Sequence, residues 1–209
     1  MDDEIAADLA GMRAAQGALV ARTEDITDAE ARAPSRLPGW SVGHVLTHIA
    51  RNGDSVARRL EGVARGEIVD QYPGGYEGRA ADIERGAHRP APELVADLLA
   101  THERIDAAVG LLGGDAWDGL SRDVGGDLTP ARDLIAARWR EVEVHHVDLG
   151  RGYEPDQWPA AFVRRLLPLA LAGVGPRLPG LDRAEPAAVL AWTYGRGAPP
   201  EGLPELLPF

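Results

Sequence analysis

The chain has 209 residues, a formal net charge of −11 and a pI near 5.0. This length suffices for one sizeable core, or for one domain with a small appendage. The negative charge argues against nucleic acid or an anionic membrane as the main partner, and no apolar run is long enough to predict a transmembrane helix. The chain has no cysteine, which excludes disulfides, thiolate metal ligands and a sulfur nucleophile of its own.

Two long helices are predicted in the first third of the chain. Apolar residues recur at helical spacing over residues 3–22, and a second helix over 41–64 has Ser41 as its N-cap. Between them, Thr27 and Glu30 have capping-box spacing, which predicts a short helical turn. The second long helix carries a polar stripe beside its apolar one, formed by His44, His48, Arg51 and Ser55.

The middle of the chain alternates loops with two further helices. A strong turn signal lies within a predicted loop over residues 66–78, and a short helix follows over 80–87. Pro92 begins a long helix that ends at residue 113. Residues 113–128 are rich in glycine and aspartate and are predicted to form a loop.

A fourth long helix follows, with Thr129 as its N-cap, Pro130 at its first position and Gly150 as a left-handed C-cap. Apolar residues cover more than one of its faces, which predicts a well-buried helix. These residues are Leu134, Ile135, Trp139, Val142, Val144 and Val147. Four long helices and one long crossover loop predict a mainly α, up-down helical bundle.

The C-terminal part is predicted to contain two shorter helices. The first spans residues 159–172 and is expected to kink or end at Pro168. A stretch rich in glycine and proline follows, and then a short apolar helix over 187–194. We therefore predict a bundle domain over residues 1–172 and a C-terminal appendage over 173–209.

Three polar residues near the end of the fourth helix form the chemically most informative pattern. Glu141, His145 and Asp148 recur at i, i+4 and i+7, which places them on one stripe. With His48 from the second long helix, Glu141 and His145 make two imidazoles and one carboxylate, the ligand set of a catalytic zinc or non-haem iron site. Asp148 is then placed to orient an imidazole through its other nitrogen.

Simpler interpretations compete with this metal site. Glu141 and His145 can be an ordinary i, i+4 helix pair, and His48 a buried, hydrogen-bonded side chain. His44 is an alternative ligand one turn before His48, whereas His146 faces another way. The three arginines near these positions are more often solvated or paired than substrate-binding: Arg51, Arg138 and Arg140.

Two of these segments resemble a known family. Residues 39–52, with His48, and residues 138–149, with Glu141 and His145, are similar to the two signature motifs of the mycothiol-dependent maleylpyruvate isomerases. These enzymes are DinB-like bundles with a small C-terminal α+β domain. The resemblance implies that His48, Glu141 and His145 bind a divalent metal, typically zinc.

The tail resembles the same family over residues 186–197. Arg196 stands where the family has an arginine implicated in activity, so the resemblance implies a catalytic role for it. The family places strands before this segment, and residues 176–185 are too few to hold them. The α+β appendage is therefore expected to be reduced. Arg51 is an alternative clamp for substrate carboxylates.

The resemblance implies a metal-dependent enzyme that uses mycothiol as a thiol cosubstrate and adds it to a small electrophile. The outcome is either cis–trans isomerisation or S-transfer. A non-catalytic metal-binding or sensing module is the main alternative, and a metal-free structural bundle is the third. We expect a cytoplasmic protein, because the N-terminus is acidic and cysteine is absent. We expect a monomer or small homo-oligomer, and the negative charge argues against nucleic-acid or membrane partners.

Overall fold

The structure, a computed structural model, describes residues 2–172, 184–201 and 203. The chain divides into two compact units, Met1–Leu149 and Gly150–Phe209. The described residues form the following elements: α1 (Asp3–Thr23), α2 (Asp28–Arg32), α3 (Val42–Ala64), α4 (Gly75–Gly86), α5 (Ala91–Val109), β1 (Leu120–Arg122), β2 (Leu128–Pro130), α6 (Ala131–Asp148), α7 (Ala160–Ala172) and α8 (Pro186–Thr193). None of the helices in these ranges is both long enough and apolar enough to cross a membrane.

The first unit is a four-helix bundle of α1, α3, α5 and α6, which confirms the mainly α bundle predicted from the sequence. Helix α1 packs against α5 and α6, and α3 packs against the same two helices. The consecutive long helices α1 and α3 therefore face each other across the bundle, and the segment with α2 joins them. Helix α6 is buried on several sides, with Leu134, Ile135 and Val142 each at most 1% exposed.

The helix ends follow the local sequence signals closely. The hydroxyl of Ser41 accepts the backbone N–H of His44, and the backbone N–H of Ser41 donates to Nδ1 of His44. The predicted capping box of Thr27 and Glu30 is present at α2. Gly150 has φ of 68°, the left-handed conformation predicted for it.

The predicted N-cap role of Thr129 is wrong. Thr129 pairs with Ser121 in a two-stranded antiparallel hairpin, and α6 begins after Pro130. The hairpin lies in the segment predicted to be loop. Its strands have three residues each, too few to show an alternating pattern, and Gly126 turns the chain with φ of 101°.

Helix α4 is longer than predicted, because it begins at Gly75 rather than near residue 80. Gly74 and Gly75 have φ of 73° and 62°, conformations that favour glycine, and they turn the chain directly into the helix. The predicted loop over residues 66–78 therefore ends at its glycine pair.

In the second unit, α7 runs through Pro168 to Ala172 and packs against α8. A small apolar cluster lies around Trp192 and Val189. The compact units divide the chain after Leu149, because α7 makes its main contacts with α8. The sequence predicts a boundary after residue 172 instead. Residues 176–183, where the reduced α+β segment is predicted, lie outside the described residues.

A buried guanidinium ties α6 to α3 inside the bundle. Arg138 has no exposed surface, and its Nη1 donates to the carbonyl of Ile49 at 2.7 Å and to Oδ1 of Asn52 at 2.8 Å. Burial lowers the pKa of Arg138 to about 10, so the side chain stays charged at neutral pH. Gly53 leaves room for this side chain, since an added Cβ would lie 3.1 Å from Nη2 of Arg138.

We expect Asn52→Ala to lower the free energy of unfolding by about 2 kcal/mol, because it removes a buried acceptor from a charged donor. Asn52→Asp is the matched control: it keeps an acceptor and adds a counter-charge to Arg138. Urea denaturation followed by circular dichroism measures both variants. Equal losses in the two variants would show that the hydrogen bond to Arg138 does not carry the effect.

A partly buried histidine on α5 should make the bundle sensitive to acid. Burial, and then the positive charge of Arg138, lower the pKa of His102 to about 3. The unfolded chain therefore binds a proton that the folded chain refuses, and stability falls as the pH drops below about 6.5, by roughly 2 kcal/mol for this group at about pH 5.

Replacing His102 with leucine should remove this part of the acid sensitivity. We expect the unfolding free energy of His102→Leu, measured in EDTA, to fall less between neutral and acidic pH than that of the wild type. His88→Ala, at an exposed histidine, is the control and should behave as the wild type. An unchanged acid profile in His102→Leu would contradict the assignment.

Candidate metal centre

Three side chains predicted as ligands converge between α3 and α6. Nε2 of His48 lies 3.2 Å from Oε2 of Glu141 and 3.0 Å from Nε2 of His145, and the last two atoms are 3.6 Å apart. Ligands that bind one cation at about 2.0–2.2 Å in a tetrahedral arrangement are separated by about 3.4 Å. The three atoms therefore form a triangle of the size that a single divalent ion requires.

The helices place these groups with little help from loops. Glu141 and His145 are one turn apart on α6, so they share a face, and α6 packs against α3, which carries His48. His48 is 3% exposed, and the ring of Trp40 lies 5.7 Å from it. The side chains of Glu141 and His145 are 21% and 14% exposed, so the cluster opens to solvent on the α6 side.

The surroundings of the cluster favour a neutral His48 and an ionised Glu141. Burial, with the neighbouring His145, lowers the pKa of His48 to about 4, so His48 is neutral at physiological pH. Burial opposes ionisation of Glu141, but hydrogen bonds from His145 and His48 outweigh it and hold its pKa well below the usual range. Although burial opposes protonation of His145, the carboxylates of Asp148 and Glu141 raise its pKa.

Asp148 lies beside the other ring nitrogen of His145, where the sequence places it. Nδ1 of His145 lies 2.7 Å from Oδ2 of Asp148, whose side chain is 2% exposed. A carboxylate in this position keeps a ring proton on Nδ1, so Nε2 is the nitrogen that would bind a metal ion. This contact therefore sets which ring nitrogen of His145 faces the cluster.

Arg79 is a site residue that sequence reasoning missed. Its Nη2 donates to Nδ1 of His48 at 3.1 Å, and its guanidinium lies 5.9 Å from the ring centre of Tyr72. Within the described parts of the chain, Arg79 has no carboxylate partner within salt-bridge distance. No motif marks this residue in the sequence, because its approach to His48 depends on how α4 packs on α3.

The other arginines considered from the sequence are occupied elsewhere. Arg51 pairs with Asp97 at 2.7 Å and with Asp54 at 2.9 Å, which leaves it poorly suited as a substrate clamp. Arg140 lies beside Glu141 at 3.4 Å. Arg196 lies in the second unit, where its Nη1 donates to the carbonyl of Tyr194 at 2.5 Å, and its catalytic role stays a prediction.

The remaining histidines separate into two environments. His146 is 1% exposed, and burial, with the charge of Arg22, lowers its pKa to about 4. His146 therefore faces away from the cluster, as its helical position predicts. His44 also lies outside the cluster, in contact with Glu84 on α4.

Fold and side chains together define a DinB-like four-helix bundle with a His–Glu–His cluster that can hold a metal ion. Residues 12–150 match the profile of the mycothiol maleylpyruvate isomerase N-terminal domain. Since this match covers more than half of the chain, the protein belongs to that family, as the sequence motifs indicated.

Solved structures agree with this fold. The crystal structure of the mycothiol-dependent maleylpyruvate isomerase is similar with a TM-score of 0.85 and 20% identity over 98% of each chain. YfiT from Bacillus subtilis, described as a probable metal-dependent hydrolase with an unusual four-helix bundle topology, is similar with a TM-score of 0.58 and 18% identity, over 72% of this chain and 89% of its own. Among proteins of curated function, none matches the sequence.

Proposed function

We propose that this protein is a metal-dependent enzyme that uses mycothiol as an external thiol and adds it to a small electrophilic substrate. The observation that carries the proposal is the triangle of ligand atoms from His48, Glu141 and His145, in a chain of the mycothiol maleylpyruvate isomerase family. We place the enzyme in the cytoplasm, where thiols are kept reduced.

The donor set fits a borderline divalent ion. Two neutral imidazoles and one carboxylate suit zinc, and three protein ligands leave a coordination position open. His48 is neutral and Glu141 is ionised, as metal binding requires, and Asp148 orients the third ligand, His145. We therefore propose zinc as the metal and His48, Glu141 and His145 as its ligands.

The chemistry explains why the thiol must come from outside. A free thiol has a pKa of about 8.5 and is mostly protonated at neutral pH. A bound divalent cation lowers this pKa and so supplies a thiolate nucleophile. The chain has no cysteine, so the sulfur belongs to a cosubstrate, and the family indicates mycothiol.

Arg79 is well placed to bind a substrate carboxylate next to the centre. An arginine N–H can only donate, so Nδ1 of His48 accepts from Arg79 when the ring proton is on Nε2. When Nε2 of His48 is a ligand, the proton lies on Nδ1, and Arg79 loses this acceptor. Its guanidinium is then available for a bidentate pair with a carboxylate. Arg196 is our second proposed arginine, on family grounds.

The addition step allows two outcomes. A thiolate that adds to an activated double bond turns it into a single bond and moves the electron pair onto the adjacent carbonyl. Rotation followed by expulsion of the thiolate gives cis–trans isomerisation. Protonation of the adduct instead gives S-transfer. Both outcomes use the same centre, and maleylpyruvate is the substrate to test first for the isomerase reaction.

The test measures zinc content, mycothiol binding and turnover of maleylpyruvate in the purified protein. We expect one zinc in the centre, mycothiol binding that depends on it, and thiol-dependent isomerisation or a mycothiol adduct detected by mass spectrometry. Metal without thiol binding would contradict the enzyme proposal and favour a metal-binding or sensing module. A protein that takes up no zinc would contradict both functions.

Arg79→Gln should raise the KM for a carboxylate substrate about tenfold or more, because it removes a charged hydrogen bond to the substrate. Zinc content and mycothiol binding should stay as in the wild type. Arg85→Gln, at an exposed arginine on the same helix, is the matched control and should leave KM unchanged. A lower kcat at constant KM would contradict a role in substrate binding.

A further inference from the structure

A second cluster of metal-ligating side chains lies at the start of α3, one turn before His48. Nε2 of His44 lies 3.3 Å from Oε2 of Glu84, and Nε2 of His88 lies 3.3 Å from Oε1 of the same carboxylate. The His44 side chain is 12% exposed, whereas those of Glu84 and His88 are 69% and 68% exposed. The cluster is therefore open to solvent, and His44 is its one largely buried member.

Close packing of two helices brings these side chains together. Gly43 lies so near the end of α4 that an added Cβ would be 2.3 Å from the carbonyl oxygen of Ala87. Glu84, in the last turns of α4, and His88, just beyond it, thereby face the first turn of α3. The rings of His44 and His88 are 5.5 Å apart at 87°, so they approach edge to face.

The outer cluster, formed by His44, Glu84 and His88, repeats the arrangement of the inner centre, formed by His48, Glu141 and His145. Each combines one histidine of α3 with a Glu-x-x-x-His pair, Glu141 and His145 in one case, Glu84 and His88 in the other. The inner pair lies on α6, and the outer pair on and just after α4. The ring of Trp40 approaches a histidine of each, 6.1 Å from His44 and 5.7 Å from His48.

Ser41 holds the ring of His44 from its other nitrogen. Nδ1 of His44 accepts the backbone N–H of Ser41, so the ring proton lies on Nε2 and points to the carboxylate of Glu84. A metal ion at Nε2 would require the proton on Nδ1 instead, where Oγ of Ser41, 2.7 Å away, can accept it.

We propose that His44, Glu84 and His88 form a second divalent-metal site at the surface, independent of the inner centre. Two imidazoles and one carboxylate select Zn²⁺, Co²⁺ or Ni²⁺ over Mg²⁺ and Ca²⁺, which prefer oxygen ligands. A bound ion joins α4 to α3 and so restrains the helix that carries Arg79.

Titration of the untagged, metal-free protein with Co²⁺, followed by visible absorption and calorimetry, tests this proposal. We expect two equivalents in the wild type and one in His88→Ala, whose exposed side chain can be removed without harm to the core. His48→Ala should also bind one equivalent, and the double variant none. Millimolar Mg²⁺ should displace neither ion.

Glu84→Gln is a second variant, and it should lose the same equivalent as His88→Ala. Glu77→Gln, at an exposed carboxylate on the same helix, is the matched control and should keep both. The proposal would be overturned if the wild type bound only one equivalent and His88→Ala still bound it. It would also be overturned if His88→Ala bound two equivalents. His48→Ala should lose the inner site alone. Failure of the proposed enzyme function is therefore distinguishable from failure of the outer site.

Discussion

His48→Ala is expected to abolish tight metal binding at the inner centre and, with it, thiol-dependent turnover. His48 is the only one of the three ligands that comes from α3. Without it, the ion retains only Glu141 and His145, an i, i+4 pair on one helix. The helical bundle should remain, because the N-cap of α3 is Ser41 and His48 takes no part in it.

The experiment is cleanest in the His88→Ala background, where the outer cluster cannot bind the added ion. Zinc after dialysis, the far-ultraviolet circular dichroism spectrum and turnover are measured with and without the His48→Ala change. His102→Leu, at a partly buried histidine outside both clusters, serves as the control and should keep one zinc. Retention of one tightly bound zinc in the His48→Ala, His88→Ala protein would show that His48 is not a ligand.

Asp148→Ala should weaken zinc binding at the inner centre by about 100-fold, and Asp148→Asn by about tenfold. The carboxylate accepts from Nδ1 of His145 at 2.7 Å, so its loss frees the ring to rotate and removes the charge that favours this tautomer. Asparagine keeps an acceptor of the same shape without the charge. Competition with a chelator of known affinity measures the zinc dissociation constants of the wild type and the two variants.

The control for Asp148 is Asp133→Asn, an exposed carboxylate on the same helix. It should leave the zinc affinity unchanged. If Asp148→Ala binds zinc as tightly as the wild type, the hydrogen bond to His145 has no part in metal binding, and the orientation of that ring is set by packing alone.

Local signals predicted most of the bundle, because its helices begin and end at residues with short-range capping chemistry. Ser41 and Thr27 cap helices as predicted, and Gly150 adopts the left-handed conformation. The hairpin was missed because strands of three residues carry too little pattern, and its pairing takes Thr129 away from the predicted cap.

The spacing of Glu141 and His145 predicted that these side chains share a helix face, since i, i+4 geometry is a property of one helix. His48 was a candidate because bundle helices direct side chains into a common interior, and motif resemblance then supported it as the third ligand. The approach of Arg79 to His48 could not be predicted in this way, because it depends on the packing of α4 against α3. His44 was considered as a ligand for the inner site, whereas packing at Gly43 places it beside Glu84.

Anomalous diffraction at the zinc edge from crystals of the zinc-loaded protein tests the central claim most directly. We expect a peak about 2.0–2.2 Å from each of three atoms: Nε2 of His48, Oε2 of Glu141 and Nε2 of His145. Crystals that contain zinc but show no anomalous peak between α3 and α6 would contradict the assignment of this cluster as the metal centre.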